Sequence, residues 1–272
     1  ALAEGHASGV GGGRVIDCSQ MLMTVRVLSA HGPVRVELAR WQNRLVVVKS
    51  LRGFHPVFSQ RLEREAAVVG KLRHDNIVPL LGSEEGSLIY AYCPGVSLEE
   101  ALSQGALRPR RSTKIMTDVL SALAYAHAQG VIHLDVKPGN ILVKGESALL
   151  TDFGFAKDLG LTAITSQDMM MGTPSYMAPE QFQGVRTDQR SDLYGAAAVL
   201  YHMLTGSSPY GGQVVRFLAG DDRVPLEPLP PGAAHFEPLL KRALARDPEE
   251  RYGTAAEMLE ALRAVREPSA VN

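Results

Sequence analysis

The chain concentrates oxygen donors at Asp135, Asn140 and Asp152. They stand in the run His133-Leu134-Asp135-Val136-Lys137-Pro138-Gly139-Asn140, followed 12 residues after Asn140 by Asp152-Phe153-Gly154. Between the two runs, Ile141-Leu142-Val143 and Leu149-Leu150-Thr151 read as the strands of a short hairpin, which would bring the three side chains to one edge. Carboxylate and amide oxygens converging in this way suit Mg²⁺, a hard cation that takes a few protein oxygens together with substrate phosphates. A further carboxylate nearby would orient a hydroxyl nucleophile.

Two kinds of element have to hold that edge in place. Residues 21–92 read mostly as strand: Val25, Val27, Val34, Val36 and Leu38 alternate with polar residues, and Leu45-Val46-Val47-Val48 is an aliphatic, mostly β-branched run. One helix interrupts them over residues 58–71, where Leu62, Ala66, Val69 and Leu72 recur at helical spacing. After Pro94-Gly95 the pattern changes. Ser97 is placed to cap a helix starting at Leu98, with Glu99 and Glu100 in its first turn. Residues 115–129 and 193–204 read as apolar helices and residues 255–265 as an amphipathic one. The expected class is therefore α+β, a small β-rich half followed by a larger helical half, with the glycine-rich residues 1–13 outside both.

Composition removes several other classes. A chain of 272 residues holds one large domain or two small ones. Its 45% apolar and 21% charged residues are those of an ordinary globular protein. Lys and Arg number 28 against 29 Asp and Glu, so no polycationic surface for nucleic acid or anionic lipid is expected. Two cysteines, Cys18 and Cys93, exclude a disulfide scaffold and suit a reducing, cytoplasmic setting. The longest uncharged stretch, residues 193–215, is broken by Gly206-Ser207-Ser208-Pro209, so no membrane span is expected within the chain. The opening residues show no basic segment followed by an apolar one, the pattern of a secretory signal.

The catalytic-type run and the Asp-Phe-Gly closely resemble the eukaryotic-like serine/threonine protein kinase family, with a leaning toward its bacterial members. That family's loops read H-R-D-x-x-x-x-N and D-F-G. Other landmarks follow in order. Val47-Val48-Lys49 resembles the third strand with its phosphate-binding Lys, and Glu65, 16 residues later, resembles that lysine's acidic partner. His74-Asp75-Asn76-Ile77-Val78 resembles the turn after the helix. Ala178-Pro179-Glu180 stands where the activation segment closes, Asp192 and Gly195 where the central helix of the large lobe begins, and Arg251 where the family keeps the partner of Glu180. The similarity runs over about residues 22–266.

The resemblance implies a two-lobed fold, divided here as residues 21–91 and 92–266 with tails at 1–20 and 267–272, binding ATP and Mg²⁺ and acting on protein hydroxyls, its own included. Lys49, held by Glu65, would contact the α- and β-phosphates. Asn140 and Asp152 would hold Mg²⁺, Asp135 would take or orient the substrate hydroxyl proton, and Lys137 would sit by the γ-phosphate. Leu28, Val36 and Val47 would line the nucleotide pocket from the small lobe, with Tyr90 gating its back, Ala91 at the hinge, Cys93 just past the hinge and Leu142 on the large lobe. Lys137, two residues after Asp135, and Thr173 resemble Ser/Thr rather than Tyr kinases. His133 and Phe153 would join Val69 and Leu80 in an internal apolar column, and Glu180 with Arg251 would form a structural ion pair.

Departures from the family pattern cluster at the phosphate-covering loop. Ser29, His31 and Val34 stand where the family has glycines, leaving Gly32 alone, or as the central glycine if the register is one residue off. Glycines there let backbone N–H groups approach phosphate closely, and Pro33 removes a donor outright. A non-catalytic binding module on the same fold is the rival that this loop motivates; a small-molecule phosphotransferase is a third reading, disfavoured by the Ala-Pro-Glu segment. Leu134 replaces the Arg of H-R-D, so phosphorylation at Thr162, Thr165 or Ser166 is expected to matter little, the Met169-Met170-Met171 run holding the segment instead. Restoring glycine at both His31 and Val34 should tighten ATP binding by about 1–3 kcal/mol, the range of hydrogen bonds to charged groups. Calorimetry on the double variant checks this; unchanged affinity contradicts the alignment.

Overall fold

The computed structural model describes residues 22–265 apart from 31–33, 54–55, 85, 154–156, 159–173 and 186. His31, Gly32, Pro33, Thr162, Thr165, Ser166, the Met169–Met171 run and Thr173 lie outside the described residues.

The first half is a five-stranded antiparallel sheet. β1 (Met23–Ser29), β2 (Val34–Trp41), β3 (Arg44–Leu51), β4 (Leu80–Glu84) and β5 (Ser87–Ala91) lie in the order β1-β2-β3-β5-β4. Alternation sorts the strand residues onto two faces. Ala39, Val46, Val48 and Ile89 form a small cluster on one face with Leu22 and Trp41. On the other face Val47 stands opposite Tyr90 and Lys49 opposite Leu88. Ser29 pairs with Val36; Ser29 ends β1 and Val34 begins β2.

Helix α1 (Pro56–Val69) crosses this second face. It starts two residues earlier than its apolar spacing indicates, with Pro56 at the first helical position, where a missing N–H costs nothing. The turn after α1 is stitched to the helical half. Val78 N–H donates to Leu150 O at 3.0 Å and Leu150 N–H to Asn76 O at 2.8 Å, while Arg73 N–H reaches the Tyr125 hydroxyl at 3.0 Å.

The second half opens with β6 (Val96–Ser97) and α2 (Leu98–Leu102), whose N-cap is Ser97, its hydroxyl accepting from Glu100 N–H at 3.0 Å. α3 (Pro109–Ala128) begins about two turns before the apolar pattern does. Pro109 starts it, and the Ser112 and Thr113 hydroxyls bond back to the carbonyls of Arg108 and Pro109 within that polar first stretch. β7 (Val131–Ile132) pairs with β10 (Lys157–Asp158), and β8 (Ile141–Lys144) with β9 (Ser147–Leu150) as the expected hairpin, to whose β8 edge β6 adds. α4 (Pro179–Phe182), α5 (Arg190–Thr205), α6 (Val214–Leu218), α7 (Glu237–Ala243) and α8 (Ala255–Ala264) complete the half. α5 is buried nearly all round and ends on Gly206 at φ +80°, a left-handed cap that a side chain would strain. One apolar cluster runs from Leu62 and Val69 of α1 through α3 and α5 to α8, joining the halves. Among the described residues no helix is long and apolar enough to cross a membrane.

Within the helical half, Arg251 and Glu180 form the expected ion pair, bidentate at 2.7 and 2.8 Å. The remaining guanidinium hydrogens go to the carbonyls of Ala245, Arg246 and Arg190, and Ser191 donates to Glu180 at 2.7 Å. Both charges are buried, so removing one strands the other. Arg251→Ala should lower the unfolding free energy by roughly 3–5 kcal/mol. Glu249→Ala, at a side chain 77% exposed, should leave it essentially unchanged. Urea denaturation of both variants measures the contrast.

Candidate active site

The sequence-predicted residues fall into two groups. The first is built across the halves. Lys49 on β3 donates to Glu65 Oε2 of α1 at 2.7 Å and to Asp152 Oδ1, just past β9, at 2.9 Å. The other Glu65 oxygen accepts from the Tyr90 hydroxyl of β5 at 2.5 Å. Glu65 is only 2% exposed and Tyr90 7%. Burial opposes the Lys49 charge, yet Asp152 and Glu65 together hold its pKa above the ordinary lysine value. Burial likewise pushes the Glu65 carboxyl up, with Lys49 and the Tyr90 hydroxyl holding it back.

The second group belongs to the loop between β7 and β8. Asp135 Oδ2 pairs with Lys137 Nζ at 2.7 Å and accepts from Asn140 Nδ2 at 2.8 Å; Nδ2 also reaches the Asp135 carbonyl at 2.9 Å. Pro138–Asn140 is one turn of 3₁₀ helix, which puts Asn140 back beside Asp135. Burial raises the Asp135 pKa, and Lys137 is the main force against that rise.

Backbone groups fix the two clusters relative to each other. Thr151 N–H donates to Asn140 O at 3.0 Å, and Thr151 O lies 3.1 Å from His133 Nε2. Thr151 thus ties the Asp135 loop to the segment that carries Asp152. Asp192 at the start of α5 holds the loop from below. Its carboxylate accepts from the backbone N–H groups of His133 and Leu134 at 2.8 and 2.7 Å and lies 2.8 Å from His127 Nε2. Leu134 and Asp152 both have φ near +60°, at 66° and 60°, a conformation that side chains disfavour and that these bonds sustain. Gly195 allows α5 to lie against the loop, since a Cβ there would come within 3.0 Å of Val136 O.

His133 and Phe153 meet at 4.5 Å between ring centroids, and Phe153, Val69 and the partly buried Leu80 all belong to the main apolar core. Val47, Cys93 and Leu142 pack partly buried against the same core. Val36 and Ala91 are also partly buried, and the Ala91 N–H is taken by Pro79 O at 2.9 Å. Leu28 on β1 is 43% exposed. Three contributors escape the sequence reading: the Tyr90 hydroxyl on Glu65, the Thr151 backbone and His127. Thr151 carries no side-chain signature at all, whereas Tyr90 is among the residues expected at the nucleotide pocket and only its bond to Glu65 is missed.

A family model described as the protein kinase domain matches residues 30–262. The chain belongs to that family. The two-lobed kinase fold is present, with the sheet as small lobe and the helical half as large lobe. This kinase domain is 34% identical to the serine/threonine-protein kinase PknB of Mycobacterium tuberculosis strain H37Rv over an alignment 255 residues long, which covers 85% of this chain and 41% of that protein. It is 35% identical to PknB of Mycolicibacterium smegmatis over the same length and shares. Against the probable serine/threonine-protein kinase PknB of Bifidobacterium longum it is 35% identical over an alignment 250 residues long that covers 82% of this chain and 36% of that one. The kinase domain thus spans about two fifths of the length of these relatives.

Proposed function

We propose that this kinase domain transfers the γ-phosphate of ATP to Ser and Thr hydroxyls of protein substrates, its own chain among them. The observation that supports this most directly is the pair of clusters, Lys49–Glu65–Asp152 and Asp135–Lys137–Asn140, tied through Thr151. Lys49 would present its ammonium to the α- and β-phosphates while Glu65 and Asp152 hold it in place. Lys137, 2.7 Å from Asp135, would meet the γ-phosphate beside that carboxylate. Asp135 would accept the proton of the incoming hydroxyl as its oxygen bonds to the γ-phosphorus and the bond to the β-phosphate oxygen breaks, releasing ADP. The hinge would meet adenine through the Ala91 carbonyl and the backbone of Cys93, since Pro79 already takes the Ala91 N–H. The lobe boundary falls in this reading between Ala91 and Tyr92.

The donor set fits a magnesium ion. The Asn140 amide nitrogen is committed to Asp135, which leaves the amide oxygen for a cation, and Asp152 adds a carboxylate. Among the described residues no cluster of three or more His, Cys, Asp or Glu side chains is arranged to hold a metal alone. Such a pair suits a cation that completes its shell with phosphate oxygens. When bound, Mg²⁺ would neutralise charge between the β- and γ-phosphates. Use of ATP and the free thiol of Cys93 support a cytoplasmic setting.

The test is transfer of radiolabel from γ-labelled ATP to the chain itself and to a generic protein substrate, with phosphoamino acid analysis. Label on Ser or Thr is expected; no transfer at all contradicts the proposal. Asp135→Asn should reduce the rate at least about 100-fold, or roughly 2.7 kcal/mol of barrier, while calorimetric affinity for Mg-ATP stays within about threefold. Undiminished turnover would remove Asp135 from the mechanism.

A further inference from the structure

Glu65 has two carboxylate oxygens and they have different owners. One is held by Lys49 at 2.7 Å, the other by the Tyr90 hydroxyl at 2.5 Å. The second bond originates in the hinge strand rather than in the phosphate-binding machinery. Tyr90 is the penultimate residue of β5, flanked by Val47 of β3 and Leu80 of β4 in the register, so its ring is fixed by strands on both sides. A carboxylate with a single hydrogen-bonded oxygen rotates about its last side-chain bond; one held at both oxygens by separate elements does not. Short bonds from a hydroxyl to a carboxylate are among the stronger ones.

We infer that Tyr90 is a positioning residue, whose hydroxyl pins Glu65, and with it α1, to the hinge strand, so that Lys49 stays directed at Asp152. The inference rests on the kinase reading above and adds a residue to it. Three features favour it. The contact is buried at both ends, with Tyr90 at 7% and Glu65 at 2% exposure, so water does not substitute for the hydroxyl. The phenol stays protonated, because burial and the Glu65 charge both raise its pKa, and it therefore serves as a donor throughout the working range. The C-terminal end of α1 is already fixed by the turn at residues 73–78, through Arg73 on Tyr125 and Val78 on Leu150, so a tether at Glu65 removes the remaining swing of the helix.

Tyr90→Phe keeps the ring and removes only the hydroxyl. Amide hydrogen exchange over residues 63–69 should rise at least fivefold while exchange in α5 stays unchanged, because the loss is local. The turnover number for phosphoryl transfer should fall about tenfold, equal to about 1.4 kcal/mol of barrier. In a Glu65→Gln background, adding Tyr90→Phe should alter both readouts by less than twofold, since the hydroxyl acts only through that carboxylate. A merely structural hydroxyl would loosen α1 and α5 together and would cost the same in either background. Exchange in α1 within twofold of the parent, an unchanged turnover number, or an equal loss in the Gln background would each overturn the inference. If the Phe variant melts below the assay temperature, Tyr90→Met takes its place, filling similar volume without a hydroxyl. A parent protein that transfers no phosphate would fail the kinase reading alone, and the exchange comparison would still decide what the Tyr90 hydroxyl does.

Discussion

Lys49 carries a positive charge into a nearly dry space between a sheet and a helix, and that placement is tolerable only with compensation from both sides. Glu65 supplies it from α1 and Asp152 from the segment after β9. An isolated ammonium there would lose its proton or drag in water, and the buried Glu65 carboxylate left without Lys49 would be costly too, whereas Asp152 keeps access to water. The requirement couples parts of the chain that are far apart in sequence, 16 residues for one partner and 103 for the other. It determines which face of the sheet α1 must cover, how the two halves meet, and where the second carboxylate of the chemistry has to stand.

The rest of the architecture serves to deliver those groups without freedom to wander. The turn after α1 docks onto β9 and α3, so the helix is anchored to the half that carries Asp152. The loop bearing Asp135 is held by backbone bonds to the buried Asp192 and to Thr151, which sustain the left-handed conformations of Leu134 and Asp152. Strain of that kind survives only where surroundings over-determine it; here it falls on Asp152, which would do chemistry, and on Leu134, which directly precedes Asp135. The Glu180–Arg251 pair plays a different part, locking α4 to the segment before α8.

Much of this was legible in the sequence because the chemistry is carried by side chains at fixed spacing. Asp135, Asn140, Asp152 and the intervening hairpin follow from residue types in order, and the family resemblance supplied the Lys49–Glu65 and Glu180–Arg251 pairs. The apolar stretches likewise showed α3 and α5, whose periodicity is strong. What was not legible falls into recognisable kinds. The start of α3 is polar, and its two hydroxyls bond back to the helix backbone, so apolar spacing misses it. α6 and α7 are single short helices of 5 and 7 residues with little periodic signal. Thr151 acts through its main chain. The bond from Tyr90 to Glu65 depends on strand register and on the depth of α1, neither of which a local pattern encodes. The resemblance supplied the nucleotide-pocket residues, and of these Leu28 stands more open than that role suggests.

The most direct test of the central claim is the initial rate of phosphoryl transfer from γ-labelled ATP by Lys49→Met at saturating Mg-ATP. Methionine keeps the length of the side chain and removes the charge that Glu65 and Asp152 share. If the buried ammonium organises the site, the rate falls at least about 100-fold, some 2.7 kcal/mol of barrier, even with nucleotide bound. A rate within threefold of the parent would contradict the account.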